Sequence, residues 1–224
     1  MNADIADWAN LYDVLMDAYG PQKWWPGREN PFAVVVGAIL TQRTTWTNAA
    51  MAVDALHQAD AMTPEAICRL EKMDLEQLIR PAGFYRAKAA TLKVFCERAG
   101  KAGGVSQLFA MPKKALRSEL LSMRGIGDET ADAILVYAAA KASFVVDAYT
   151  RRVLERLGWI EGRETYAMIQ ALFEASLPKN VTVYGEFHAL IVHHGKVHCR
   201  ARPACDSCPL LTRCPFANSQ EELS

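Results

Sequence analysis

The stretch from Leu120 to Leu154, LLSMRGIGDETADAILVYAAAKASFVVDAYTRRVL, decides the fold of this chain. At its centre, Gly125-Ile126-Gly127 places two glycines around one apolar residue. That composition permits a sharp turn and leaves backbone amides uncovered where the next helix begins. The pattern predicts one helix before the turn and a second from about Asp128 to Ala140, with Asp128 as its N-cap. Because amides at the positive end of a helix suit a phosphate, we expect a helix-turn-helix unit that can bind an anion, followed by the carboxylate of Asp147.

Apolar residues recur at helical spacing on both sides of this stretch, and no segment shows sustained alternation, so the sequence predicts an all-α protein. A buried helix is expected from Phe32 to Leu40, continuing through Thr41–Trp46 into a helix that ends near His57. The other predicted helices are Ile5 to Tyr19, one that starts at Thr63-Pro64-Glu65, Asp74 to Ile79, Lys88 to Ala99, Pro112 to Leu121, Asp147 to about Leu157, Thr165 to Leu177, and Tyr184 to His194.

The charge balance of the chain excludes an overall basic surface. Lys plus Arg total 25 and Asp plus Glu total 25, so any nucleic-acid interface must be local. The candidates are Lys196, Arg200 and Arg202, which lie close together in the sequence. The acidic start MNADIADWAN does not resemble a signal peptide, and the apolar run Phe32–Leu40 is too short to span a bilayer. We therefore expect a cytoplasmic protein without a membrane partner.

Four of the six cysteines lie near the end of the chain, at Cys199, Cys205, Cys208 and Cys214, in the pattern C-x5-C-x2-C-x5-C. Disulfides are disfavoured in a chain without an export signal. Four thiolates in one short segment suit either a [4Fe–4S] cluster or a zinc ion with four cysteine ligands, and their spacing does not separate the two. Cys68 and Cys96 lie on predicted helices and are expected to be buried thiols.

Two segments resemble a known family. Met-Arg-Gly-Ile-Gly-Asp-Glu-Thr-Ala, followed by Val-Val-Asp-Ala-Tyr-Thr-Arg-Arg-Val, is similar to the helix-hairpin-helix and essential aspartate of the endonuclease III superfamily of DNA glycosylases. The resemblance implies a two-domain all-α fold: a six-helix domain at 31–140 with its hairpin at about 113–140, and a second domain formed by 1–30 plus 141–224. It also implies a monomer that binds double-stranded DNA containing a damaged base, and hence association with the bacterial nucleoid. The alternative is a glycine-containing turn followed by an aspartate that only caps a helix.

The cysteine segment resembles the iron–sulfur loop of endonuclease III and its adenine-specific relatives, which implies a [4Fe–4S] cluster within 199–214. The first gap is five residues, where the family usually has six. The cluster is expected to be structural and to close a loop whose basic residues Lys196, Arg200 and Arg202 can meet phosphates. At the hairpin Gly125-Ile126-Gly127, which is expected to contact DNA, a monovalent cation is a further candidate ligand.

The resemblance also gives Asp147 and Glu129 candidate roles. Asp147 matches the family carboxylate that stabilises oxocarbenium character in the sugar and orients water. Glu129 occupies the position at which strand-cleaving members have a nucleophilic lysine. Because a carboxylate cannot form a Schiff base, we expect a monofunctional glycosylase. The alternative for Glu129 is an ordinary acidic residue in a first helical turn.

The candidate base pocket consists of Trp24, Trp25 and Trp46. Together with the segments 40–46 and 80–85, they resemble the 3-methyladenine DNA glycosylase III branch, in which aromatic rings stack on the methylated base. Such a base is cationic and is attracted to aromatic faces. The alternative is that the tryptophans are core residues. That branch has a carbamylated lysine, and the corresponding position in this chain is near Leu190, so the carbamylated lysine is absent here.

Two further residues match positions that contact DNA in the family. Gln42 matches the residue that fills the gap left by a flipped base, and Phe84 matches the wedge that opens the opposite strand. Alternatively, Gln42 is an exposed helical residue and Phe84 fixes a loop.

The sequence therefore favours a DNA glycosylase that removes alkylated purines such as 3-methyladenine without cleaving the strand. One alternative is an endonuclease III-type glycosylase and AP lyase for oxidised pyrimidines or mismatches. Alternatives outside that class are a lesion-binding protein with weak catalysis and a structural zinc module.

Overall fold

The computed structural model describes residues 5–25 and 29–221, which contain no β-strand. This confirms the predicted all-α fold. The α-helices are α1 Ile5–Tyr19, α2 Pro31–Leu40, α3 Trp46–Gln58, α4 Pro64–Arg69, α5 Lys72–Leu78, α6 Tyr85–Lys101, α7 Val105–Ala110, α8 Lys113–Ser122, α9 Asp128–Ala133, α10 Ala148–Arg156, α11 Tyr166–Ser176, α12 Val181–Val197 and α13 Pro215–Glu221. Short 3-10 turns lie at Arg80–Ala82 and Leu211–Arg213, and α9 continues as a π-turn at Ile134–Ala138. None of the helices in the described ranges is long and apolar enough to cross a membrane.

The chain divides into two compact units. The central unit is Trp25–Lys141, and the terminal unit combines Met1–Trp24 with Ala142–Ser224. Buried apolar side chains occur in the described residues of both, so each unit has a hydrophobic core of its own.

Helix α2 lies at the centre of the core of the central unit. Asn30 caps it by accepting hydrogen bonds from the amides of Phe32 and Ala33, and Pro31 occupies its first turn, where a missing amide proton costs nothing. From Val34 to Leu40 every side chain of α2 is buried. A helix that is apolar all round must be covered on all sides, and α2 packs against α3, α6 and the π-turn.

The prediction that α2 continues into the next helix is wrong. Helix α2 ends at Leu40, and α3 begins at Trp46. Arg43 between them has a φ of 52°, a left-handed conformation that no helix tolerates. Thr45 then caps α3 by accepting a hydrogen bond from the Asn48 amide at 3.3 Å. The break creates a loop at 41–45 that carries Gln42.

The helix-hairpin-helix consists of α8, the turn at 123–127 and α9. Gly127, in an extended conformation, is the N-cap of α9, so the prediction of Asp128 as the cap is wrong. Asp128 lies inside the first turn and accepts a hydrogen bond from Nη2 of Arg117 at 2.7 Å, because that cation on α8 is in reach of its carboxylate. Arg117 also pairs with Asp132, whose side chain is fully buried, with both distances at 2.9 Å. These ion pairs join the two helices of the hairpin.

The terminal unit is held together by aromatic side chains. Phe144 and Phe173 stack with ring centroids 3.7 Å apart, and Trp8 meets Phe173 edge-on at 4.4 Å. Phe187 packs against both phenylalanines, at 6.0 and 5.5 Å. These contacts join α1, α11 and α12 to the segment before α10, and so fix the position from which Asp147 begins α10.

Candidate functional site

Asp147 is the N-cap of α10. Its Oδ1 accepts hydrogen bonds from the backbone amide of Thr150 at 2.7 Å and from Oγ1 of Thr150 at 2.9 Å. Its Oδ2 lies 3.6 Å from Nε2 of the buried His188 on α12. The capping function considered as the alternative is therefore present, and it leaves the Oδ2 side of the carboxylate facing a histidine.

The surroundings of Asp147 favour its charged form. Burial by itself raises the pKa of this carboxyl, but the interaction with the nearby His188 and the two donors of Thr150 outweigh burial, and the pKa lies below its ordinary value. The side chain is 13% exposed. Asp147 is thus a largely buried carboxylate that stays ionised at neutral pH.

The hairpin turn in the central unit has the backbone that its glycines predict. Gly125 has a φ of 93°, and a Cβ at this position would overlap Oγ1 of Thr91 on α6. Ile126 is only 5% exposed and fixes the turn to the core. Gly127 is exposed at the start of α9, and nothing lies within 4 Å of a Cβ placed there. The turn is consequently rigid at its base and open at the start of α9, as an amide site for phosphate requires.

Glu129 lies in the first turn of α9, where it is exposed. An acidic side chain is favourable near a helix N-terminus, and this alone is enough to explain a glutamate at this position. A lysine is absent from the described helix α9, so this helix offers no amine nucleophile.

The three predicted pocket tryptophans fall into two groups. Trp25 and Trp46 lie in the central unit and meet edge-on, with ring centroids 5.6 Å apart. Trp24 belongs to the terminal unit, where Nζ of Lys196 lies 5.3 Å from its ring centroid. The structure therefore brings two of the three together, and gives the third a cation–π contact instead.

Trp25 also takes part in the core. It is 7% exposed, and its indole covers Gly37 of α2 so closely that a Cβ there would lie 3.0 Å from Nε1. Tyr137 lies 5.5 Å from Trp25 and completes an aromatic group with Trp46. Tyr137 was missed by sequence analysis because it lies in the apolar run after the hairpin, where an aromatic residue is expected to be core.

The two residues expected to enter DNA lie in adjoining loops of the central unit. Phe84 is 65% exposed with a φ of 45°, and follows Gly83 at 69°. Gln42 is not a freely exposed helical residue, because its Nε2 donates to the Gly125 carbonyl at 2.9 Å and to Oγ1 of Thr130 at 2.8 Å. Gln42 is thus held against the hairpin, and Phe84 projects from the surface.

All four C-terminal cysteines line one cavity in the terminal unit. Arg156 donates to Sγ of Cys199 at 3.2 Å and to the carbonyls of Arg200 and Ala201 at 2.7 and 3.1 Å. Within the described residues, no three Cys, His, Asp or Glu side chains have the spacing to hold one metal ion. Four thiols on the lining of one cavity are the donor set of a [4Fe–4S] cluster, and also that of a zinc ion with four cysteine ligands.

The remaining predicted DNA contacts are exposed. Lys196 lies in the last turn of α12, and Arg200 and Arg202 lie at the start of the cysteine segment. Of the two cysteines outside that segment, Cys96 is buried as expected. Cys68 is exposed, contrary to expectation, because the buried positions of the short helix α4 are taken by its other residues.

Comparison with known proteins identifies a family. Residues 36–179 match the HhH-GPD superfamily of base excision DNA repair proteins. A protein of Methanocaldococcus jannaschii, named as a candidate DNA repair glycosylase, is 45% identical over 207 residues, covering 91% of this chain and 94% of its own. Endonuclease III of Sulfolobus acidocaldarius is 29% identical over 189 residues, covering 84% and 82%.

Solved structures give the same fold. An H. pylori 3-methyladenine DNA glycosylase bound to 1,N6-ethenoadenine superposes with a TM-score of 0.74 at 30% identity, covering 86% of this chain and 96% of its own. A trapped endonuclease III–DNA covalent intermediate superposes with a TM-score of 0.85 at 24% identity, covering 98% and 99%.

Proposed function

This chain belongs to the HhH-GPD superfamily of base excision DNA repair proteins, and from that premise we propose that it is a monofunctional DNA glycosylase. Its proposed substrate is an alkylated purine such as 3-methyladenine in double-stranded DNA, flipped out of the helix before the N-glycosidic bond is hydrolysed. Two separate observations carry this proposal: Asp147 is an ionised carboxylate, and helix α9 has the carboxylate of Glu129 where a strand-cleaving enzyme needs an amine.

In the proposed reaction, the bond between C1′ of the sugar and the ring nitrogen breaks, and its electron pair leaves with the base. The carboxylate of Asp147 stabilises the positive charge that develops on the sugar and orients a water, whose oxygen bonds to C1′ and whose proton is released. The hydrogen bonds from Thr150 hold Oδ1 of Asp147 in place, and Oδ2 is the oxygen assigned to this chemistry.

The absence of strand cleavage follows from Glu129. AP lyase chemistry needs an amine that attacks C1′ and forms a Schiff base. Glu129 is exposed in the first turn of α9 and cannot form one. Its negative charge also suits a cationic alkylated base better than a neutral one.

An alkylated purine suits the aromatic group of the central unit. N-alkylation gives the base a positive charge, and the cation–π attraction of an aromatic ring contributes on the order of 1–2 kcal/mol. Trp46 is partly exposed, and Trp25 supports it edge-on. The similarity to the H. pylori 3-methyladenine glycosylase supports this substrate class. Trp24, which lies in the terminal unit, stays a separate candidate for stacking on a base.

For DNA binding we assign the hairpin amides, Gln42 and Phe84, and the basic group Lys196, Arg200 and Arg202. The hairpin amides would bind a backbone phosphate, and we assign a monovalent cation to the same turn. The protein is proposed to act as a monomer. This assignment requires no overall basic charge, because Lys196, Arg200 and Arg202 are exposed and close together in the sequence.

The cavity lined by Cys199, Cys205, Cys208 and Cys214 is the proposed site of a [4Fe–4S] cluster. When bound, the cluster supplies four iron–sulfur bonds that close the segment 199–214. Arg156 holds the first turn of that segment from α10. We assign the cluster a structural role, in support of the basic residues beside it.

The test is single-turnover base release from matched duplexes that carry 3-methyladenine, 7-methylguanine, thymine glycol or a G:T mismatch, each with and without alkali. Release of an alkylpurine, with strand scission only after alkali, is the expected result. Release of thymine glycol with direct nicking would overturn the proposal. That result would favour the second candidate, an endonuclease III-type glycosylase and AP lyase, which the similarity to Sulfolobus endonuclease III supports.

A further inference from the structure

One lysine in the core of the central unit has no place in the chemistry described so far. Lys88 on α6 is 3% exposed, and burial lowers its pKa from the ordinary value. Removing an ammonium from water is costly unless its protons are satisfied. Nζ of Lys88 donates to the carbonyl of Leu40 at 3.0 Å and to the carbonyl of Ala82 at 2.8 Å.

The two acceptors of Lys88 mark the starts of two loops. Leu40 is the last residue of α2, directly before the 41–45 loop with Gln42. Ala82 ends the 3-10 turn, directly before Gly83 and Phe84. Carbonyls at helix ends lack intrahelical partners, and a cation there is favourable. A single ammonium therefore joins the two loops that carry the proposed gap-filling and wedge residues.

Both loops contain backbone that needs support from its surroundings. Arg43 has a φ of 52° and Phe84 a φ of 45°, and neither is a glycine. Such left-handed conformations cost about 1 kcal/mol or more each and persist only where neighbouring structure fixes them. The hydrogen bonds of Lys88 reach the chain within three residues of both positions.

The same helix also holds the hairpin turn. Thr91, one turn beyond Lys88, donates from Oγ1 to the carbonyl of Arg124 at 3.2 Å and contacts Gly125. Gln42 in turn donates to the carbonyl of Gly125. The 41–45 loop, the Gly83-Phe84 loop and the hairpin turn are thus fixed to one face of α6.

We propose that Lys88 is a positioning residue that holds the Gln42 loop and the Phe84 loop in one arrangement, so that both side chains enter the duplex together. This inference rests on the proposed function as a base-flipping DNA glycosylase. The proposal makes a specific prediction. The ammonium of Lys88 is needed to open paired DNA, and it is not needed to hydrolyse the glycosidic bond of a base that is already unpaired.

The chain offers a matched control on the same helix. Lys93 of α6 also donates from Nζ to two backbone carbonyls, those of Cys68 and Leu70 at the end of α4. Its acceptors belong to neither of the two loops. Lys88→Met and Lys93→Met therefore each remove one ammonium from two backbone carbonyls. Only Lys88→Met removes it from the Gln42 and Phe84 loops.

The experiment measures duplex opening and base release separately. Opening is followed as the fluorescence rise of a 2-aminopurine placed beside an uncleavable abasic analogue, which needs no chemistry. Release of 3-methyladenine is measured from a paired duplex and from single-stranded DNA. Lys88→Met should reduce duplex opening and duplex release by about 10- to 100-fold and leave single-strand release near wild type. Lys93→Met should match wild type in all three assays.

Equal duplex opening by Lys88→Met and Lys93→Met would overturn the inference, as would an equal loss of duplex and single-strand release by Lys88→Met. If Lys88→Met does not fold, Lys88→Gln replaces it, since its amide has two N–H donors but carries no charge and reaches one bond less far than Nζ of Lys88. That variant should open the duplex at a reduced rate, and a wild-type rate would also overturn the inference. A wild-type protein that opens DNA but releases no alkylpurine contradicts only the proposed substrate, whereas one that opens no DNA contradicts the proposed function itself.

Discussion

At the residue scale, the proposed hydrolysis depends on Asp147. Its identity as a candidate could be predicted from the sequence, because it follows the hairpin at the position where the family has its carboxylate. Its partner His188 could not be predicted, because the two lie on different helices and no local pattern joins them. The same holds for Lys88, whose acceptor Leu40 lies 48 residues away. A lysine in a helical pattern is expected to be exposed, so only the fold reveals its burial.

Asp147→Asn should separate catalysis from folding. Asparagine caps helices about as well as aspartate, so the free energy of unfolding should change by less than about 1 kcal/mol. Loss of the negative charge should slow single-turnover base release by about 100-fold or more, while affinity for lesion-containing duplex, measured by fluorescence anisotropy, stays within a few-fold of wild type. Unchanged base release would exclude Asp147 from the chemistry and favour the alternative of a helix cap alone.

The pKa of Asp147 is itself measurable by NMR titration of labelled aspartate carboxyls, with Asp147→Asn identifying the signal. Its midpoint should lie below the ordinary value of about 3.9. A lowered pKa means that the charged form stabilises the folded protein above the ordinary value, and that this stability is lost as the pH falls through the lowered value. A midpoint above the ordinary value would show that burial prevails over His188 and Thr150.

At the scale of the element, the sequence predicted the two helices of the hairpin and the turn between them, but not the residue that caps the second helix. Two glycines in the sequence indicate a tight turn, but they do not tell which of the neighbouring residues caps the next helix. Asp128 is a good N-cap by type, yet Arg117 on the facing helix attracts its side chain. The interruption of α2 and α3 was missed for a similar reason, because Arg43 in the left-handed region has no sequence pattern of its own.

The two hairpin glycines should respond differently to substitution. Gly125→Ala forces a Cβ against Thr91 at a φ of 93° and should destabilise the fold by about 1–3 kcal/mol. Gly127→Ala places its Cβ in open space at a φ of −99° and should leave stability within about 1 kcal/mol of wild type. Urea unfolding of both variants measures the difference, and equal stabilities would show that the turn is not rigid at its base.

The ion pair between Arg117 and Asp132 within the hairpin should contribute more to the free energy of unfolding than the exposed pair between Arg98 and Glu119. Arg117→Met leaves the fully buried carboxylate of Asp132 without its bidentate partner, and should lower the free energy of unfolding by about 3 kcal/mol. Arg98→Met removes the exposed pair with Glu119 and should cost less than about 1 kcal/mol. Thermal or urea unfolding compares the two, and a larger loss for Arg98→Met would contradict this assignment.

At the scale of the whole molecule, helical periodicity was sufficient to predict an all-α protein. The metal site indicated by four crowded cysteines stays a prediction. The sequence could not predict that all four cysteines line one cavity, because that depends on how α10, α12 and the segment between the cysteines pack. The aromatic group was only half predicted, since Tyr137 joins Trp25 and Trp46 while Trp24 lies in the other unit.

The cysteine cavity predicts a purified protein that is brown, with visible absorbance and about four iron and four sulfide per chain. Cys205→Ser should lower the iron content and the melting temperature together, because the metal bonds contribute to folding. Cys68→Ser is the control, since that thiol is exposed on α4 and away from the cavity lining. A colourless protein that contains one zinc ion per chain would contradict the cluster and show that the cysteines hold zinc.

The most direct single measurement is a time course of 3-methyladenine release from one end-labelled duplex under single-turnover conditions, with each time point divided between neutral and alkaline quench. We expect free base to accumulate while the strand stays intact at neutral pH, and alkali then to convert every abasic site into a break. Strand breaks that appear at neutral pH in step with the free base would contradict this expectation, because Glu129 cannot supply the amine that such cleavage requires.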